Sequence, residues 1–374
     1  MEIAVSSEIR LTELLHSMGI CAEAVLVTVN DELAPETATA KKGDKVEIIF
    51  YKHVPPLLSQ QNLRGHWKKA KHRKSCDRCK SKPVAYLPNF RSHLCRKHFL
   101  NLFEKTVKKT VRAHRMLNKN ERIGIGVSGG KDSFALLHVL SRIRKSLPFE
   151  LFALTIDEGI PGYRDKTIEN ACKRCKELEV KQHLYSFQEE CGTTIMDIAK
   201  KKENLCSYCG VLRRRILNSK ARELKLDKIA IAHNLDDIAQ TAMLNMIRNE
   251  PLRLARFNSP LVADSRMVPR IRPLRDIREK EIATYAFLMG HEFNSLCCPY
   301  SKNSLRRAVR HELNFLEDQY PGTKSRIASG FDTLQDMVHK SIQKENLSMK
   351  SCSECGEPSS ANLCMGCKML KEII

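Results

Sequence analysis

Four groups of residues in this chain have the types and spacings that do chemistry. The first is Ser128-Gly129-Gly130-Lys131-Asp132-Ser133, a glycine turn between an apolar run (Ile123–Val127) and a helical pattern of Phe134, Leu136, Leu137 and Leu140. Strand, glycine turn and helix start aim backbone N–H groups at an anion, so the stretch reads as a phosphate cradle with Lys131 as its positive charge. The second is Cys76-x-x-Cys79, a fifteen-residue spacer, then Cys95-x-x-His98; the third is Cys352-x-x-Cys355, eight residues, then Cys364-x-x-Cys367. Each has the spacing of a closed tetrahedral site gripped from two tight turns, so two structural Zn²⁺ ions are expected. The fourth is Cys206-Ser-Tyr-Cys209 with the distant Cys298. Three thiolates can hold three irons of a [4Fe–4S] cluster and leave the fourth open; equally, Cys206 and Cys209 can form a redox pair resolved by Cys298, or a third zinc site short of one ligand. The helix start at Cys206 and the arginines Arg213–Arg215 are expected to favour the thiolates.

Three phosphate motifs compete for the glycine turn. A Walker A loop fails because Asp132 stands where its hydroxyl belongs. A dinucleotide fingerprint, Gly124-x-Gly126-x-x-Gly129 with Asp157 ending the next strand, is formally present but ignores the Lys-Asp-Ser that follows. The whole string resembles the pyrophosphate loop of N-type ATP pyrophosphatases, which cleave ATP between the α and β phosphates and attach AMP to a substrate oxygen.

Those groups need a scaffold, and the 374 residues are enough for two or three domains. From residue 120 onward, apolar runs at 123–127, 151–156, 180–185, 228–232 and 268–274 alternate with helical patterns at 133–144, 166–178, 192–202, 209–224, 235–248 and 278–289. That alternation predicts an α/β fold with a mostly parallel sheet, whose ligands bind at the carboxyl ends of its strands. The glycine turn, Asp157 and His233-Asn-Leu-Asp-Asp237 should then converge on one crevice. Residues 1–55 read as a separate small module, strand, helix, then strands, resembling β-grasp sulfur carriers of the ThiS/MoaD type. Its last strand runs on into Tyr51-Lys-His-Val-Pro-Pro56 without a Gly-Gly terminus, so a docking or structural role is expected. The remaining boundaries are a basic linker at 56–74 with the sole tryptophan, Trp67, a zinc finger at 75–105, the catalytic domain at 106–300, a basic helical region at 301–347 and a second zinc finger at 348–374.

A formal net charge of +21 favours a polyanionic partner, with nucleic acid first. The basic residues around the first zinc site (Arg78, Lys80, Lys82, Arg91, Arg96, Lys97) could press on a phosphate backbone, and so could Arg306, Arg307 and Arg310. With no apolar stretch near membrane-spanning length and no signal-like start, an intracellular protein without membrane contact is expected. The fifteen cysteines then read as reduced metal ligands, apart from Cys172-x-x-Cys175, Cys21 and Cys191, which read as packing.

Taken in order, the Cys-Cys-Cys-His site, Ser-Gly-Gly-Lys-Asp-Ser, Cys206-Ser-Tyr-Cys-Gly210, His233-Asn-Leu-Asp-Asp237, Cys298-Pro-Tyr300 and the terminal four-cysteine site are specific. From about Cys76 to Cys367 the chain resembles the TtuA/NcsA family of tRNA uridine 2-thiolation enzymes. The resemblance implies a cytoplasmic sulfurtransferase using ATP, Mg²⁺ and a [4Fe–4S] cluster, acting on tRNA, with sulfur from a ubiquitin-like carrier or free sulfide, and it admits a homodimer. It implies that Val127, Ser128, Gly129, Gly130, Lys131, Asp132 and Ser133 cradle ATP, with the backbone at Asp157 and Ala232 flanking the nucleotide. Cys206, Cys209 and Cys298 would ligate the cluster, whose open iron would hold hydrosulfide, and Lys131, Arg213 and Asp237 would serve catalysis. ATP would adenylate uridine O2, and sulfur would then displace AMP. Arg213 stands where the T-loop enzymes carry Lys, Ala232 replaces the usual Gly, and Cys297 could replace Cys298. Competing readings are a 2-thiocytidine synthase, a cluster-free ligase with a redox Cys-x-x-Cys, and a non-catalytic zinc-ribbon RNA-binding protein.

Overall fold

The computed structural model describes residues 1–51, 73–250, 253, 264–291, 298–301, 305–342 and 349–373. Pro55, Pro56, Trp67 and Cys297, and with them most of the expected linker, lie outside the described residues.

The N-terminal module has strands β1 (Glu2–Ala4), β2 (Ile9–Arg10), β3 (Val25–Val29), β4 (Glu32–Ala34), β5 (Thr39–Ala40) and β6 (Lys45–Phe50), with helix α1 (Leu11–Ser17). Its four-stranded sheet runs β1-β6-β3-β4 and every pair in it is antiparallel. Asn30 and Asp31 close the β3–β4 hairpin with φ of 51° and 63°, the left-handed pair that a two-residue turn of this hand requires. Leu11 and Leu15 turn one face of α1 onto Val25, Val27, Val46 and Ile48, a core separate from the rest of the chain.

The first cysteine-rich module is a hairpin, β7 (Ala85–Leu87) and β8 (Ser92–Leu94), running into the long helix α2 (Arg96–Ala113). Phe99, Phe103, Val107 and Val111 recur on one face of α2 and join the main core.

That core surrounds a five-stranded sheet, ordered β11-β10-β9-β12-β13 and parallel throughout. The strands are β9 (Arg122–Gly126), β10 (Glu150–Asp157), β11 (Lys181–Ser186), β12 (Lys228–Ala230) and β13 (Arg270–Ile271), interleaved with α3 (Lys131–Ile143), α4 (Arg164–Glu177), α5 (Phe187–Cys191), α6 (Ile195–Ala199), α7 (Leu205–Glu223) and α8 (Leu235–Ile247). Ile123, Ile125 and Ala153 are fully buried, as expected of central strands covered on both faces. The sequence pattern predicts one helix over 192–202; only the short α6 stands within that range, and α5 ends just before it. Gly192 (φ +67°) ends α5 in the left-handed conformation, and the Thr194 side chain caps the start of α6.

From β9 the chain moves outward to β10 and β11, then returns to place β12 on the other side of β9. The switch point of the sheet therefore lies between the loops that follow β9 and β12. Helices α9 (Glu279–Leu288), α10 (Leu305–Gln319) and α11 (Thr323–Ile342) complete this unit, α9 packing on α3 and the other two on α8. The second cysteine-rich module (hairpin β14, Lys350–Ser351, and β15, Pro358–Ser359, then α12, Met365–Lys371) packs on α7. Tyr208 on α7 donates to Glu372 at 2.7 Å, and Asn218 donates to Glu357 at 3.1 Å. Among the described residues no helix is long and apolar enough to cross a membrane.

Candidate active site

The loop after β9 opens at the carboxyl edge of the sheet. Ser128 and Gly130 are exposed, Val127 is buried, and Gly130 caps α3. Gly129 has φ +82°, and a Cβ there would lie 1.9 Å from the Thr167 carbonyl oxygen, so no other residue fits. Its glycine is demanded by the neighbouring helix α4 and by the backbone, whereas a Cβ on Gly130 would meet only Ser128 Oγ, at 3.7 Å. Ser133 Oγ donates to the Gly130 carbonyl at 2.9 Å, and Ser128 Oγ donates to Ser133 Oγ at 3.2 Å, which fixes the turn from within. The dinucleotide alternative loses its geometry, because Gly124 and Gly126 lie inside β9 and only Gly129 is in the turn.

Lys131 has partners that its place in the glycine turn did not suggest. Its ammonium is buried and donates to Asp132 at 2.8 Å and to Glu279 at 2.7 Å, with the Tyr51 ring 5.6 Å away. Burial works against this charge, but Asp132 and Glu279 outweigh it and hold the ammonium protonated. The cation expected at the phosphate thus sits in an ion triad, bracing Asp132 and the start of α9. Asp132 in turn accepts from Asn234 Nδ2 at 3.1 Å, joining the two loops that flank the switch point.

The His233–Asp237 stretch divides its work. Asn234 Oδ1 accepts from the Asp237 N–H at 3.0 Å while Asp237 Oδ2 accepts from the Asn234 N–H at 3.2 Å, a reciprocal cap on α8. Asp236 is buried, accepts from the Glu279 N–H at 2.7 Å and pairs with Lys324 of α11. Asp237 is therefore a capping residue whose carboxylate also faces His233 and Arg306. Ala232 follows β12 half-buried, and Asp157 closes β10 with its Oδ1 accepting from the Gly159 N–H at 2.9 Å.

Helix α7 brings Cys206 and Cys209 to the same edge. Cys209 and Cys298 border one apolar cluster with Tyr163 and Tyr300, and Cys206 Sγ lies 3.9 Å from the Tyr300 carbonyl. Burial raises the Cys209 thiol despite Arg213 Nη2 at 3.1 Å, and burial raises Cys298 too, so the expected thiolate preference is not built into those two positions. Arg213 bridges Cys209 to Glu158 at 2.6 Å. The other Glu158 oxygen pairs with Arg164 Nε at 2.7 Å, and Arg164 Nη1 donates to the Ser128 carbonyl at 2.9 Å. Glu158 and Arg164 were missed in the sequence, although Glu158 directly follows Asp157 at the strand end where function was expected.

Both cysteine-rich ends form ready ligand sets. Cys76, Cys79, Cys95 and His98 place their ligand atoms within 4.8 Å of one another, as do Cys352, Cys355, Cys364 and Cys367. Cys79 and Cys95 sulfurs are 3.6 Å apart, Cys355 and Cys364 3.7 Å, and Cys95 Sγ is 3.3 Å from His98 Nδ1. Tetrahedral Zn–S bonds require sulfurs roughly 3.8 Å apart, so a single ion fits either set. The trio Cys206, Cys209 and Cys298 does not close to that spacing among the described residues. That lack of closure argues against a third single-zinc site.

Positive charge collects beside these loops. Arg270 in the edge strand β13, Arg272 just after it and Arg306 all add to burial in weighing against a charge on His233. Burial and then Arg214 push Arg270 down to about 10, and burial and then Arg270 do the same to Arg272. Guanidinium groups whose charges oppose one another in this way favour an anion beside them. Of the basic residues expected on the outside, Lys82 is tied to Glu32 at 2.5 Å and Arg96 to the Leu288 carbonyl at 2.8 Å. Cys175 is buried in the main core with its thiol pushed up to about 11 by burial, as a packing role requires.

Comparison with known proteins matches this geometry. A family model described as a PP-loop domain matches residues 98–316, and one described as the N-terminal LIM domain of 2-thiouridine synthetase TtuA matches residues 75–100. The chain is 34% identical to the tRNA 2-thiolation protein NcsA of Haloferax volcanii, covering 80% of this chain and 98% of the relative. It is 32% identical to the tRNA-5-methyluridine(54) 2-sulfurtransferase of Pyrococcus horikoshii, over 78% of this chain and 92% of that one. The solved U34-tRNA thiolase NcsA from Methanococcus maripaludis with its [4Fe-4S] cluster superimposes with a TM-score of 0.70 at 32% identity, covering 80% of this chain and 96% of that chain.

Proposed function

Because this chain belongs to the TtuA/NcsA family of PP-loop tRNA 2-thiolation proteins, we propose that it is an ATP-dependent tRNA 2-thiouridine synthase. The observation that carries this reading is the link from the phosphate loop to the cysteine helix, Ser128 to Arg164 to Glu158 to Arg213 to Cys209. It holds a nucleotide site and a sulfur site in one crevice.

The exposed backbone of Ser128–Gly130 and the start of α3 receive the ATP phosphates, with Mg²⁺ offsetting their charge. Uridine O2 attacks the α-phosphorus and pyrophosphate leaves, which turns a poor leaving group into AMP. A sulfur nucleophile then adds at C2 and AMP departs. Lys131 does its part indirectly, by fixing Asp132 and through it Asn234. Asp237, facing His233 and Arg306 at the head of α8, is the group placed to move a proton or steady charge on the base. Held by Cys206, Cys209 and Cys298, a [4Fe–4S] cluster would leave one iron without a protein ligand and supply a site for sulfur delivery. Arg213 holds Cys209 in place, and its permanent charge suits electrostatic support better than proton transfer.

The arginines around His233 meet the RNA backbone on the open side of the crevice. Zn²⁺ held by Cys76, Cys79, Cys95 and His98 and by Cys352, Cys355, Cys364 and Cys367 would fix the starts of α2 and α12, and α12 packs on α7. The N-terminal module resembles a β-grasp domain in its helix followed by strands, and departs from that fold in pairing its first and last strands antiparallel. Relatives called cytoplasmic tRNA 2-thiolation protein 1, in Dictyostelium discoideum and Arabidopsis thaliana, support a cytoplasmic setting. Deleting the gene and analysing digested bulk tRNA by mass spectrometry tests the reading: a 2-thiouridine derivative should disappear from specific tRNAs. Loss of 2-thiocytidine alone, or no change, would overturn it.

A further inference from the structure

Residues 1–51 lie outside both matched family regions, yet their contacts lead directly to the ATP loop. Glu23 of the N-terminal module is buried between Arg278 (3.1 Å) and Lys324 (3.8 Å). Lys324 pairs with Asp236, Asp236 accepts from the Glu279 N–H at 2.7 Å, and Glu279 pairs with Lys131 at 2.7 Å. Every member of this path is buried. The module reaches the loop a second way, because Tyr51, whose hydroxyl donates to the Glu23 carbonyl, lays its ring 5.6 Å from the Lys131 ammonium. Leu26, Leu33 and Tyr51 pack on Ala283 of α9, the helix that carries Glu279.

We propose that the N-terminal module is a built-in positioning device for the ATP loop and that Glu23 is the positioning residue through which it acts. Removing one charge from a buried ion network leaves its partners short and makes them redistribute. Without Glu23, Lys324 leans more on Asp236, with Glu317 the other carboxylate acting on it, and draws Asp236 from the Glu279 N–H. Glu279 then shifts, and Lys131 and Asp132 shift with it. A module fused to the enzyme thereby sets the nucleotide affinity of a site to which it contributes no ligand.

The inference rests on the reading of the Ser128–Ser133 loop as the ATP site, and the test separates the two. Full-length protein is titrated with ATP and Mg²⁺ by calorimetry, and KM for ATP and kcat are measured for tRNA thiolation. Glu23→Gln should weaken ATP binding and raise its KM about tenfold, within the range of coupling across a shared ion network. kcat should change less, and tRNA affinity should not change. Glu23→Asp, which keeps the charge, should recover most of the loss. Glu36→Gln removes another docking contact, the Lys280 pair at 3.2 Å, and should leave ATP binding unaltered. If Glu23→Gln does not fold, Tyr51→Phe decides, with an expected loss of about twofold in ATP affinity. Wild-type affinity in Glu23→Gln, or an equal loss in Glu36→Gln, would overturn the positioning role. A wild-type protein that does not bind ATP would overturn the reading of the loop itself.

Discussion

Arg213 Nη2 reaches Glu158 at 2.6 Å and Cys209 Sγ at 3.1 Å, so one guanidinium ties Cys209 to the carboxylate that, through Arg164, also anchors the Ser128–Ser133 loop. Glu158 spends one oxygen on Arg213 and the other on Arg164. Glu158→Gln keeps the shape but removes the charge from two cations, one of them buried. The expected cost is about 3 kcal/mol of stability, together with less iron per chain after anaerobic reconstitution, while zinc stays unchanged. Urea unfolding and metal analysis of the same preparation check both outcomes.

Cysteine variants should sort by metal. Cys206→Ser and Cys298→Ser should lose iron and thiolation but keep two zinc ions per chain. Cys352→Ser should lose one zinc and destabilise α7, whose outer face is covered by the second cysteine-rich module. Iron that survives in Cys298→Ser would point to the neighbouring Cys297 as ligand.

Asp237 caps α8, and one substitution separates that cap from the proposed role on the base. Asp237→Asn retains an oxygen to accept from the Asn234 N–H, so the cap should cost under about 1 kcal/mol. If the carboxylate acts on the base, kcat should nonetheless fall by about 100-fold or more. Steady-state kinetics beside a melting curve reads the two effects apart.

Binding of RNA should carry the imprint of the arginine group. Arg270→Gln should lower affinity for an unmodified tRNA transcript and reduce the slope of log K against log salt by about 1. ATP affinity should not change. Filter binding across a salt series provides the measurement.

Acid should destabilise the fold in a defined window. Burial holds His138 down to about 4, with Arg142 and Arg174 adding to it, and burial with Arg174 and Lys131 does the same to His291. In the unfolded chain each would take a proton near pH 6.5. The unfolded state therefore binds more protons between about pH 6.5 and 4, and stability falls as pH drops through that range, by on the order of 2 kcal/mol per histidine at pH 5. Urea midpoints at about pH 7 and pH 5 should separate accordingly, and His291→Leu should narrow the gap.

What could be read in the sequence was what short-range spacing encodes. The two four-ligand sets are gripped by local turns, and the inner strands β10, β9 and β12 lie in apolar runs that suit a covered sheet, whereas β11 and β13 stand at its edges. Gly129 also showed itself, because its turn tolerates no side chain. The surroundings of Lys131 were not legible: its partner Glu279 lies 148 residues away, and only the fold brings them together. The same holds for Glu23, which finds Arg278 across 255 residues. Lys131 in a glycine turn looks like a phosphate ligand by type, and its burial is a fact of tertiary packing alone. Asp236 and Asp237 were adjacent letters with separate fates, because successive helix positions point about 100° apart.

The most direct test of the account is a single reconstituted reaction. Protein rebuilt anaerobically with iron and sulfide is incubated with ATP, Mg²⁺, sulfide and unmodified tRNA, and nucleosides and adenine nucleotides are quantified by mass spectrometry. 2-Thiouridine and AMP should form in equal amounts, and both should be abolished in Cys206→Ser. ADP as the nucleotide product, or AMP released with no thiolated nucleoside, would contradict it.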